Sequence, residues 1–399
     1  MADKLQVALV LNRMIDIPVF NLLFQTSFNY SDFINTKIIV VNFDCIDEYN
    51  WSRKRKYIFS NGCTSQNIKS VVELNGNDNV IVCNSKEQYK NTIKQFDLCI
   101  ARGIEYAVLK PIINKNIAIC GPRINIERLV VDVMPYYEDK LKIFLQSNLW
   151  LDKKETGLFE YNSDFELFKK YKDRFEFSSV LNSYYDLVSS NLSKDKIKSG
   201  FNIPLDKKIA FLSLRKADPA HTMYENNEQF LKESIKMIKK FKDMGYYIVS
   251  RRRLSNYDVN VARKNSPENL KFDEIYSKLI DLEIDGYESH PPEVFLIPYI
   301  SDVLLLSDTS GIANIESAIM KLPIYFPHNK HDTKFKEYLN GDSIAPTFRD
   351  MINNNLITND YTQEYCEHYN NNIDKFLYKW YQGNIDDFWQ KAFKYGISS

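Results

Sequence analysis

Residues 291–326 read PPEVFLIPYISDVLLLSDTSGIANIESAIMKLPIYF, and the alternation of apolar and polar runs in this stretch decides the fold. After the Pro291-Pro292 pair comes a segment suited to a short helix. Val303–Ser307 is a compact apolar run of strand length, and a sharp polar loop follows it. Gly311–Met320 has helical spacing, and Pro323–Phe326 reads as a second strand. Strand, loop, helix and strand in that order make half of a doubly wound parallel sheet, where ligands bind beyond the carboxyl ends of the strands.

Working upstream, Lys208–Leu214 (KIAFLSL) is a buried strand that ends in the polar loop RKADPAHTMYENN. The helix after it carries Leu231, Ile235, Ile238 and Phe241 on one face, with Gly245 placed to end it. Tyr246–Ser250 is the next strand and runs straight into Arg251, Arg252 and Arg253. The first half repeats the theme. Strands are expected at Leu5–Leu11, Lys37–Phe43, Asn79–Cys83, Asp97–Ala101 and Asn116–Cys120, with helices at Ile17–Phe24 and from Ser85 onward. Residues 44–78 show no clean period, and 124–198 read mainly as helices rich in Tyr and Phe. The polar stretch 189–208 reads as an inter-domain connection. The expectation is an α/β chain of two domains, 1–198 and 199–355, followed by helices over 356–399.

Composition agrees with two cores, because 399 residues exceed what one usually supports. Fifty-two basic residues balance fifty-two acidic ones, which argues against a dedicated nucleic-acid partner. The six cysteines, scattered without a CxxC or zinc spacing, fit a reduced, cytoplasmic protein. The apolar run near the N-terminus is too short for a membrane span and has no cleavage site. No other stretch approaches the roughly 18 apolar residues a span needs. Peripheral contact with a membrane stays open.

Three segments should meet at the carboxyl edge of the second sheet. In the first, Arg215, Lys216 and His221 follow a strand, and the basic pair can hold phosphate; a solvated loop is the plainer reading. Arg251, Arg252 and Arg253 form the second, and three adjacent guanidinium groups need an anion or carboxylates among them. The third is Asp308-Thr309-Ser310-Gly311. A turn of this kind before a helix offers free N–H groups and the positive end of the helix dipole to a phosphate, and Glu316 can accept ribose hydroxyls. An ordinary N-cap would use the same residues. His290 lies in a turn that should approach this edge, where a nearby carbonyl could read a base. In the first half Asp16 and Glu105 follow strands, and a general base for an acceptor hydroxyl would be a carboxylate or His there. Ordinary surface acids are the alternative.

The connector FNIPLDKKIAFLSL and the block over residues 291–326 together resemble the GT-B glycosyltransferases and their relatives, over about residues 200–330. The Asp308–Ser310 loop, Glu316 and Leu322-Pro323 match that superfamily's donor segment. The flavour is that of bacterial surface-polysaccharide enzymes, including the CDP-glycerol glycerophosphotransferase-like group. That group commonly has His-Pro where this chain has Arg251-Arg252-Arg253, and Asp-Tyr-Ser-Ser where it has Asp308-Thr309-Ser310-Gly311. The departures favour ordinary glycosyl transfer over polyol-phosphate transfer.

The resemblance implies two Rossmann-like domains facing across a cleft, with the final helices packing back on the first. It implies a nucleotide-sugar donor as substrate, no cofactor and no metal, and a glycan or lipid-linked acceptor reached at the inner face of a membrane. A UDP-sugar 2-epimerase or polyol-phosphate transferase on the same fold remains a rival, as does a non-catalytic protein that binds sugar nucleotides or glycans.

Overall fold

A strand buried on both faces needs continuous apolar sequence, and β1 (Leu5–Leu11) has it, since every residue but Gln6 is buried. β2 (Ile34–Val41) pairs with it in parallel, from Leu5 opposite Ile34 to Leu11 opposite Val40. The computed structural model describes residues 4–11, 17–42, 63, 65–102, 115–120, 134, 137, 140–145, 169–180, 183, 192–213, 227–252, 274–285, 296–306, 320, 322, 324–325 and 383–398. Among these, β3 (Val80–Cys83), β4 (Leu98–Arg102), β5 (Lys115–Cys120), β6 (Leu141–Leu145) and β7 (Phe175–Phe177) complete a parallel sheet. Its order is β3-β2-β1-β4-β5-β6-β7.

With it go α1 (Ile17–Ser27), α2 (Ser65–Asn75) and α3 (Lys86–Ile93). Ser85 caps α3 by accepting from the Gln88 N–H, and Glu87 lies in the first turn, as its sequence suggests.

The second sheet runs β10-β9-β8-β11-β12, again parallel. Its strands are β8 (Ile209–Ser213), β9 (Tyr247–Arg252), β10 (Leu282–Asp285), β11 (Val303–Leu306) and β12 (Ile324–Tyr325). With it go α4 (Lys194–Gly200), α5 (Asn227–Asp243) and α6 (Ile297–Ile300). Gly245 takes φ 85°, the left-handed conformation that lets the chain leave α5 and enter β9.

The structure adds detail where the sequence was least legible. β6 and β7 lie within 124–198, most of which falls outside the described residues. LKIFL is a five-residue segment with four apolar residues, too short for periodicity to separate strand from helix. β10 falls in a stretch for which the sequence reading names no strand. The stretch 189–208 carries regular structure. α4 forms in it, and Asn202 turns the chain at its end with φ 56°. The buried Lys198 then donates to the carbonyls of Leu205 (3.3 Å) and Lys207 (2.9 Å), bracing the approach to β8.

The chain divides into two compact units, one of residues 1–153, 158–184 and 380–399, the other of 154–157 and 185–379. The last helix, α7 (Ile385–Ile397), therefore belongs to the first unit. Phe388, Trp389 and Ala392 bury its inner face, and Phe388 meets Phe144 of β6 edge to face at 5.0 Å. Trp389 Nε1 donates to Thr26 Oγ1 at 3.0 Å. Lys115 donates to the carbonyls of Tyr395 (3.1 Å) and Gly396 (3.2 Å), placing a cation at the negative end of α7.

One device recurs at the amino ends of the strands. Asp97, just before β4, accepts from Gln6 N of β1 at 2.8 Å and returns a bond from its own N–H to Gln6 O at 2.9 Å. Asp302, just before β11, does the same with Ile209 of β8 at 2.7 and 2.9 Å. Asp281, before β10, repeats it with Ile248 of β9 at 2.8 and 3.0 Å.

Two outcomes follow for stability. Asp97→Ala and Asp302→Ala should each cost about 1 kcal/mol in urea unfolding, since each loses a charge-assisted bond at a partly solvated strand end. A change under about 0.3 kcal/mol in both would show that the pairing is incidental. The second concerns Tyr30. Partial burial, then the bond from its hydroxyl to Asp386 (3.0 Å), push its pKa up to about 12 from the ordinary 10.0. The folded state thus holds this proton longer than the unfolded chain, so Tyr30 contributes stability below pH 10 that is lost as pH rises towards 12. Melting curves across that window should fall less steeply for Tyr30→Phe than for the parent, and identical slopes would refute the assignment.

Candidate functional site at the strand switch points

In an open parallel sheet, a crevice forms where neighbouring strands send their connections to opposite faces. The first sheet has that point between β1 and β4, and the second has it between β8 and β11. The register puts Ser213, the last residue of β8, directly opposite Leu306, the last of β11. β9 flanks β8 on the other side, with Ser250 opposite Leu212. Arg251 and Arg252 are the final positions of β9, opposite Ile284 and Asp285 of β10.

This topology organises the residues singled out by sequence. Arg215, Lys216 and His221 follow β8 in the chain, and Asp308, Thr309, Ser310, Gly311 and Glu316 follow β11. The two switch-point strands of the second unit thus lead into two of the three candidate donor segments, and β9 beside β8 leads into the third. Asp16 follows β1 and Glu105 follows β4, the switch-point strands of the first unit. All of these residues, with Arg253 and His290, lie outside the described residues. Arg251 and Arg252 are placed by their backbone alone.

One supporting contact gave no signal in the sequence. Ser250, buried in β9, shares a short hydrogen bond with the hydroxyl of Tyr276, also buried. It anchors β9 one residue before the arginines begin. Two buried hydroxyls that satisfy each other hold the strand without leaving an orphan polar group.

Cys63, Cys83 and Cys99 are buried. Burial pushes the thiols of Cys83 and Cys99 upward, and it raises the neighbouring phenols of Tyr89 and Tyr137 in the same way. Iodoacetamide near neutral pH should leave Cys83 and Cys99 unmodified in folded protein and label both in urea. Labelling of either in the native state, read by peptide mapping, would contradict this packing. Among the described residues no helix is long and apolar enough to cross a membrane.

Several solved structures share this arrangement. The wall teichoic acid polymerase TagF superimposes with a TM-score of 0.54 at 15% identity, over 99% of this chain and 90% of that one. A glycosyltransferase from Rickettsia africae gives 0.52 at 13% identity, with each chain covered completely. The UDP-GlcNAc 2-epimerase from Neisseria meningitidis, bound to UDP-GlcNAc, gives 0.53 at 10% identity over 94% of this chain and all of that one. The fold is GT-B. No family model and no curated protein matches the sequence. At these identities the likeness establishes the fold alone, and it includes both transferases and epimerases.

Proposed function

We propose that this chain is a glycosyltransferase that moves a sugar from a nucleotide-sugar donor to a hydroxyl of a glycan or lipid-linked acceptor in surface-polysaccharide synthesis. The observation that carries the reading is the order β10-β9-β8-β11-β12. It sets the ends of β8 and β11 side by side, and those strands lead into the segments with phosphate-binding chemistry. The GT-B fold supports a sugar-processing enzyme in general, and the UDP-GlcNAc bound by the Neisseria epimerase shows the fold holding a nucleotide-sugar in that protein.

In this mechanism the acceptor oxygen attacks the anomeric carbon as the bond from that carbon to the diphosphate oxygen breaks. Asp16 or Glu105 takes the hydroxyl proton. The negative charge gathering on the departing diphosphate meets Arg215, Lys216 and one of Arg251–Arg253. The Ser310 turn adds its N–H groups and the positive end of a helix. Glu316 accepts the ribose hydroxyls. Preorganised donors and cations do here what a bound metal does elsewhere. A lipid-linked acceptor would be met by peripheral contact at the inner membrane face.

A UDP-sugar 2-epimerase is the second reading, favoured by the epimerases among the structures of like fold. It needs acid and base groups around one sugar and no acceptor. Thermal shift against UDP, GDP, CDP, CMP, dTDP and ADP tests the donor site. A nucleotide at 100 times its dissociation constant should add about 2.7 kcal/mol, and Ser310→Ala or Glu316→Ala should remove most of that gain. Incubating the matching nucleotide-sugar without an acceptor then separates the two enzymes, since only an epimerase yields the C2 epimer. A folded protein that responds to no nucleotide would end both readings.

A further inference from the structure

The first unit holds a cavity of about 750 Å³ at the amino edge of its sheet, the edge opposite the switch-point crevice. The starts of β1 and β2, the residues just before β3 and β4, and the end of α1 line it, and it opens to solvent. Its size falls within the roughly 300–1,000 Å³ of small-ligand clefts.

The wall mixes donors and acceptors, most of them neutral. Thr36 is 8% exposed, and its buried hydroxyl has no hydrogen-bond partner. An orphan of this kind calls for an explanation. Asn35 Nδ2 donates to Gln6 Oε1 at 2.7 Å, and Gln6 Nε2 donates to Lys4 O at 2.9 Å, which orients both amides and leaves the Asn35 side-chain oxygen as an acceptor. Ser31 contributes a hydroxyl, and Asp97 a second carboxylate oxygen beyond the one that takes the Gln6 N–H. Phe28 is 56% exposed, and its ring is steadied edge to face on Phe24 at 5.0 Å.

Charge narrows the ligand. The carbonyl end of α1 and the Asp97 carboxylate both border the cavity, against the single ammonium of Lys4. That field disfavours phosphate and other anions. An exposed aromatic face beside hydroxyl, amide and carboxylate groups suits a neutral polyhydroxylic ring, whose C–H face lies on the aromatic side chain while its hydroxyls bond to the wall.

We propose that this cavity holds a saccharide, one or two neutral hexose or N-acetylhexosamine units, at a site separate from the crevice. It stands without the transferase reading and deepens it where that reading holds: a polymeric acceptor gripped here would reach the reacting centre at raised effective concentration.

The experiment is saturation-transfer NMR and titration of the full chain with maltose and with N,N′-diacetylchitobiose. One of them should bind, and Thr36→Val and Phe28→Ala should each weaken it about fivefold. Thr36→Val nearly preserves shape and removes an unpaired hydroxyl, so its melting temperature should hold or rise, which separates lost binding from lost folding. Ser310→Ala should leave the disaccharide affinity unchanged, and Thr36→Val should leave any nucleotide-induced thermal shift unchanged. The proposal is overturned if neither disaccharide binds, if binding survives both cavity substitutions, or if Ser310→Ala alone abolishes it. Disaccharide binding that depends on Thr36, in a protein that answers to no nucleotide, would support the cavity and remove only the transferase reading.

Discussion

The carboxylate placed one residue ahead of a strand, paired in both directions with the backbone of the next strand over, is the contact on which both sheets depend. A strand buried on both faces has no polar side to distinguish one register from the next. β8 and β11 show the difficulty, for Ile209 to Leu212 and Val303 to Leu305 are all buried and all apolar. Hydrophobicity alone would accept a slip of one position. Asp302 does not, because its carboxylate and its N–H can meet both groups of Ile209 at one offset only. Asp97 settles β1 against β4 in the same manner. Both of these pairings bridge a switch point, the one place in each sheet where the crevice must form.

Fixing the amino edge decides what emerges at the carboxyl edge. A one-residue slip moves a strand by about 3.3 Å. Positioning errors near 1 Å already cost large factors in rate for groups that act together on a substrate. Ser213 and Leu306 end side by side because the register is set a few residues earlier, and the segments after them start from that common line. The hydroxyl pair of Ser250 and Tyr276 extends the same control to β9, just before its arginines. Chemistry at one edge of the sheet thus rests on hydrogen bonds near the other.

Much of this framework was legible in the sequence, for a physical reason. Long apolar runs bounded by turn residues announce buried parallel strands, so β1, β2, β8 and β11 were clear, and Ser85 and Gly245 marked a helix start and a helix end. The misses share a cause. β6, β7 and β10 are short, and β10 sits among charges with its described residues half-buried or exposed. α2 hides in a polar stretch where Ile68 and Val71 are its buried anchors. The Asp-apolar-x-apolar pattern at Asp97, Asp281 and Asp302 was in plain view, but its meaning needs the neighbouring strand. Candidate donor residues could be read because each segment is contiguous. The amino-edge cavity could not, since Lys4, Ser31, Thr36, Asn79 and Asp97 converge only once the sheet exists.

The two edges of the first sheet therefore carry different physical demands. At the carboxyl edge, strand ends and loops present backbone N–H groups and helix starts, which favour anions. At the amino edge, helices end and carboxylates clasp the strands, which disfavours them. A parallel sheet supplies this division without further design. At that edge the buried Thr36 hydroxyl has no partner within the unit. α7 reinforces the unit from outside the sheet: Lys391 donates to Phe177 O at 2.7 Å at the end of β7, and Trp389 bonds to α1. Because α1 ends at the cavity, the tie from Trp389 to Thr26 holds the base from which Phe28 projects. The last helix in the chain thereby steadies the aromatic rim of a site built from its first forty residues and two short turns.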